Sequence, residues 1–168
     1  NCLSFILANC VPGHAILMKK DLLNLALPFP NYIIHDHWLA YVASLHGGVK
    51  YIDQVLVKHR NHVNSAIGAL RIKSRNRKNF YTKIKERKEN LKSVRKKIEL
   101  FYNTCSITNK PEKEILFDLM MSYKNFSLKN NIKRVQLFLK HRKQLLAIKK
   151  RSALRKWLFC YKMFLKIK

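Results

Sequence analysis

The last hundred residues of this 168-residue chain contain no glycine and a single proline, Pro111. Glycine and proline most disfavour helix interiors and supply most tight turns. A stretch so poor in both has few ways to fold other than as helices. The apolar residues agree with that expectation. Phe80, Ile84, Leu91, Val94, Ile98 and Phe101 recur at three-, four- and seven-residue steps, a heptad-like stripe interrupted at Arg87. Ile115, Leu119 and Tyr123 predict another helix after Pro111. Leu154, Trp157, Leu158, Tyr161 and Phe164 form a third stripe, with Arg151, Arg155, Lys162 and Lys166 mostly elsewhere around the axis.

The net charge of +26 is concentrated in the same region. Residues 1–68 carry five basic and three acidic residues, whereas residues 69–168 carry 30 basic and six acidic ones. Six of the seven histidines lie the other way, in the first 62 residues. A near-neutral, chemically mixed front is thus followed by a strongly basic back, which suggests an anionic partner, nucleic acid or a membrane surface, although a solvated charge face on a helical bundle accounts for part of the charge. We divide the chain accordingly into residues 1–69 and a basic helical extension, 70–168.

The front reads as mixed α and β. Ala15 to Met18 suits a short buried strand, and Asp21 to Leu27 a short helix stopped by Pro28 and Pro30. A second helix is expected from about Asp36 to His46, ending at Gly47-Gly48, where left-handed backbone is easily met. Val49 to Val57 has the β-branched content and partial alternation of a strand, and a polar stretch follows from Lys58 to Ser65. Cys2, Cys10, Cys105 and Cys160 form no CxxC pair and suggest neither zinc nor a disulfide framework, which fits reduced, cytoplasmic thiols. No apolar run approaches the roughly 18 residues of a spanning helix. The chain opens on Asn1 as though inside a folded unit, so a fragment without a leader is expected.

Two clusters carry the chemistry. In His35-Asp36-His37-Trp38, Asp36 has two roles open to it. It can cap the helix through its side-chain oxygen, or act as a general base toward an attacking hydroxyl. In His59-Arg60-Asn61-His62-Val63-Asn64, the arginine fork suits phosphate oxygens and a neutral histidine can ligate a metal. A solvated loop with incidental histidines is the plainer account of that second cluster.

The order of these pieces resembles family 2 glycosyltransferases, specifically their rhamnosyltransferase-like branch. In that branch G-x-x-M-x-x-R-x-L-L, L-P-x-P, H-D-W-W, G-x-x-x-Y-x-D and Y-R-x-H-x-x-N-x-x-G follow one another. Here the stretches are GHAILMKKDLL, LPFP, HDHWLA, GGVKYIDQVL and HRNHVNSAIG, within roughly residues 9–69. The resemblance implies an α/β fold: the C-terminal, acceptor-side half of a Rossmann-like GT-A domain, followed by the basic α-helical extension. It implies an inverting transfer from a nucleotide-sugar donor to a glycan or lipid-linked acceptor in surface polysaccharide synthesis, lipopolysaccharide included. Asp36 then matches the catalytic base, and Gly13 the close backbone approach to donor or acceptor. His35 belongs to the same substrate-binding segment, and Trp38 to an aromatic that shapes the acceptor pocket, although a core position suits Trp38 equally. Arg60 and Asn64 match the leaving-phosphate loop, and His62 the histidine near a divalent metal, Mg or Mn. His37 and His59 depart from the branch's Trp and Tyr, which bears on acceptor choice. No Asp-x-Asp, the donor-side metal motif, occurs in the chain, so the fragment by itself is expected to be inactive.

For the basic back, the resemblance favours peripheral attachment to the cytoplasmic, inner face of the cell membrane. A cationic amphipathic helix bearing Trp157, Phe159, Tyr161 and Phe164 suits the headgroup boundary. The alternative is a non-catalytic basic module for nucleic acid or an anionic membrane. Nucleic acid is disfavoured because no motif for it is recognisable.

Overall fold

The computed structural model describes residues 1–58, 80–105 and 110–164. A short 3-10 turn at Cys2–Phe5 and another at Gly13–Ala15 precede α1 (Lys20–Ala26) and α2 (His35–Leu45). The basic back contributes α3 (Phe80–Thr104), α4 (Lys110–Ser122), α5 (Leu128–Lys140), α6 (Arg142–Leu145) and α7 (Ala153–Lys162).

These helices begin and end where local chemistry allows. Pro111 sits in the first turn of α4, where its missing N–H costs nothing, and Glu112 faces the positive end of the helix dipole. Ser127 caps α5 by accepting the Asn130 N–H at 3.3 Å, and Ser152 caps α7 by accepting that of Arg155 at 3.4 Å. Helix α2 ends as its sequence predicts. Gly47 and Gly48 take φ values of +110° and +92°, and the Gly48 N–H returns to the Ala43 carbonyl at 2.7 Å.

The α/β expectation for the front is overturned, because no strand occurs among the described residues. At the first predicted strand, Ala15 closes a 3-10 turn and Leu17 is almost fully exposed. At the second, Val49 to Val57 runs as irregular chain with Tyr51 and Val55 86% and 89% exposed. The physical reason is that β-branched residues favour extended backbone, but a strand exists only once a neighbour supplies the other half of its hydrogen-bond ladder. No described segment does so. The described residues therefore contain no Rossmann-like GT-A sheet and make an all-helical assembly.

One core joins front and back. Leu3, Ile6, Tyr41, Ile98, Phe101, Leu116, Leu119 and Phe138 are all buried in it. Helix α3 packs on α4, α4 on α5 and α5 on α7, while the first 3-10 turn inserts against α2, α4 and α6. Two bonds tie distant parts of the chain: the Tyr41 hydroxyl donates to the Phe101 carbonyl at 2.6 Å, and the Ser4 hydroxyl to the Gln144 carbonyl at 3.3 Å. The boundary set at residue 69 falls outside the described residues. Among the described residues no helix is long and apolar enough to cross a membrane.

Candidate active site

Helix α2 sets the position of the first cluster. Its buried face, Trp38, Leu39, Ala40, Tyr41 and Val42, is anchored by an aromatic stack. Tyr41 lies on Phe101 with ring centroids 3.9 Å apart, and Trp38 is nearly parallel to Phe101 at 6.4 Å. The Trp38 indole N–H donates to the Ala26 carbonyl at the end of α1, at 2.8 Å. Of the two roles open to Trp38, the structure shows the core one: the ring is 5% exposed and presents no face for a sugar.

Asp36 is the second residue of α2, and Ile34, the residue before the helix, provides no side-chain cap. The carboxylate turns away from its own helix. Its Oδ2 accepts the Gly13 N–H at 3.2 Å, across 23 residues of sequence. The capping role is thus not the one the structure displays, although the first turn still favours a negative charge through its unpaired N–H groups. Oδ1 accepts no hydrogen bond from a described residue. Asp36 is half-buried and His35 beside it is exposed.

Gly13 fits closely against this pair. A Cβ built there would stand 3.0 Å from His35 Nε2 and 3.6 Å from the Asp36 Cβ. Three predicted residues, Gly13, His35 and Asp36, are therefore brought to one corner. His37 leaves it. Its Nε2–H donates to the Phe5 carbonyl and its ring meets Phe101 at 5.8 Å. Burial holds its imidazole below the ordinary histidine range; the Phe5 carbonyl opposes that shift, Lys97 reinforces it and Asp36 opposes it. His37 therefore supports α2 from within and does not face an acceptor.

Arg60, His62 and Asn64, with His59, lie outside the described residues. The divalent metal implied by the sequence finds no match among the described ones. No group of three His, Cys, Asp or Glu residues there could hold an ion. The corner offers one carboxylate and one imidazole, short of the oxygen-rich set that Mg or Mn takes.

The sequence did not reveal Phe101 and Tyr41 as the residues that set the corner's position. They are 60 positions apart, and no spacing rule links a helix of the front to one of the back. A cavity of about 250 Å³ lined by Ile84, Arg87, Lys88, Phe126 and Asn131 is separate from the corner. Cys2, Cys105 and Cys160 are buried and Cys10 is exposed, and none of the four is in a disulfide. Burial pushes the Cys2 thiol up to about 12, which makes it a poor nucleophile.

No protein-family model, curated protein or solved structure matches the chain.

Proposed function

We propose that this chain takes part in moving a sugar from a nucleotide-activated donor to a glycan or lipid-linked acceptor, with Asp36 as general base. One observation supports it above the others. The HD pair and the glycine that the motif order links to it converge, with Gly13 N–H on Asp36 Oδ2 and the second carboxylate oxygen uncommitted among described residues.

In the reaction, the acceptor hydroxyl is deprotonated by Asp36 Oδ1 as its oxygen attacks the anomeric carbon. The bond from that carbon to the diphosphate breaks, the nucleotide leaves with its electron pair, and the configuration inverts. The Gly13 N–H keeps the carboxylate from rotating, and the half-buried setting of Asp36 leaves an oxygen reachable by substrate. Nucleotide binding falls to residues beyond those described, Arg60 and Asn64 among them. A lipid-linked acceptor places the reaction at the inner face of the cell membrane, with the chain attached peripherally from the cytoplasm.

The test is transfer of labelled sugar from a panel of nucleotide sugars to membrane acceptors by the whole gene product, wild type against Asp36→Asn. The amide oxygen still accepts from Gly13, so the geometry survives while the base is lost. The expected fall in kcat is about 10²- to 10⁴-fold. Transfer within tenfold of wild type rejects the assignment, whereas measurable transfer by the 168-residue chain alone refutes only the expectation that it is inactive by itself.

A further inference from the structure

Helix α7 is apolar on two opposite faces. Phe159, Cys160 and Met163 are buried against the rest of the fold: the Phe138 and Phe159 rings meet at 6.4 Å, and the Cys160 thiol donates to the Phe138 carbonyl at 3.4 Å. At about 100° per residue, Leu154, Trp157, Leu158 and Tyr161 fall about half a turn away from that buried face. They are 65%, 41%, 46% and 46% exposed. Trp157 and Tyr161 pack edge to face at 4.6 Å, which stiffens the outer stripe. Arg155 and Lys162, both exposed, stand along one flank of it.

The segment that carries the stripe has no acid in its sequence. Residues 119–168 contain 15 Lys and Arg and no Asp or Glu. We infer that the outer face of α7 is a membrane-docking surface, in which Leu154, Trp157, Leu158 and Tyr161 enter the headgroup boundary of an anionic bilayer while the surrounding cations meet lipid phosphates.

The aliphatic centre of that surface fits a bilayer better than a duplex nucleic acid or a second copy of the chain. Aliphatic side chains at the centre gain nothing from a nucleic-acid backbone, which is held by cations and polar donors. At a bilayer they are removed from water, and indole and phenol rings are at home at the boundary depth. A second copy of this chain would bring two acid-free cationic segments together, so like-charge repulsion opposes self-association through this face. Phe159, which the sequence places among the membrane-facing aromatics, is excluded because the core covers it. The inference gives a surface to the peripheral placement proposed above and does not depend on Asp36, because the vesicles used to test it carry no sugar acceptor.

The experiment is flotation of the 168-residue chain with phosphatidylcholine vesicles, with and without about a third of phosphatidylglycerol, while tryptophan fluorescence is followed. Trp38 is already buried, so a blue shift on binding comes from Trp157. The expected result is binding to the anionic vesicles at least tenfold tighter than to neutral ones, weakened by 0.5 M salt. The triple variant Leu154→Ser, Trp157→Ser, Leu158→Ser should lose at least tenfold in affinity, with an unchanged helical spectrum and thermal midpoint, because these side chains face outward. Leu17→Ser, which removes a still more exposed leucine elsewhere, should bind as wild type. Equal affinity for neutral and anionic vesicles overturns the inference. So does unaltered vesicle binding by a folded triple variant, tighter binding to a duplex DNA probe than to the anionic vesicles, or a concentration-dependent dimer that the triple variant abolishes.

Discussion

Arg134 is fully buried, yet no carboxylate approaches it among the described residues. Its guanidinium instead joins two helix ends. Nη2 donates to the Ser122 carbonyl at the end of α4 at 2.7 Å, and Nη1 to the carbonyl of Met163, which caps α7, at 3.3 Å. The Tyr123 ring lies under the guanidinium, 4.5 Å from the centroid. Two negative dipole ends take the place of an anion. Replacing Arg134 with Met keeps most of the volume but leaves both carbonyls without a donor. Each unpaired buried carbonyl costs about 1–3 kcal/mol, and each lost charge–dipole contact up to about 2 kcal/mol. Against this stands the relief of no longer burying a charge, which is several kcal/mol, and the guanidinium Nε has no partner in any case. The net expectation is a loss of about 2–3 kcal/mol, which for a chain of this size lowers Tm by roughly 5–10 °C. Urea unfolding followed by far-UV circular dichroism at 25 °C measures it. A variant as stable as wild type, or more so, would mean that the desolvation of the guanidinium outweighs everything it holds, and the proposed clamp is then wrong.

Two further outcomes are expected. His37 has its pKa held below 6.5 in the fold, so the unfolded chain binds a proton first as pH falls. Stability should be full above about 6.5, decline as pH drops from there to the folded value, and level off below it. His37→Gln, which keeps an N–H for the Phe5 carbonyl, should flatten that decline in urea midpoints between pH 7.5 and 5.5, whereas a persisting slope assigns it to other groups. Gly48→Ala meets no atom within 4 Å, so its cost is backbone strain alone at φ +92°. A loss of about 1–2 kcal/mol is expected by thermal unfolding, and a neutral substitution would show that the turn can rearrange.

The sequence by itself determined the elements whose causes are local. The described part of the glycine-free back is mainly helical, α4 has Pro111 in its first turn, α1 stops before Pro28, and α2 ends at a pair of positive-φ glycines. The order of motifs singled out Gly13, His35 and Asp36 but did not say that they meet. The bond from Gly13 to Asp36, and the rotation of His37 toward Phe5, emerged with the packing. Tertiary structure decided whatever depends on a partner. Val49 to Val57 has a strand's composition and no ladder, because a ladder needs a second segment that local pattern does not specify. Helix α7 carries two apolar stripes, and periodicity cannot choose between them. The Phe138 ring and carbonyl on α5 capture Phe159 and Cys160 and leave Trp157 and Leu158 outside, since a helix of a small domain can press only one side against the core.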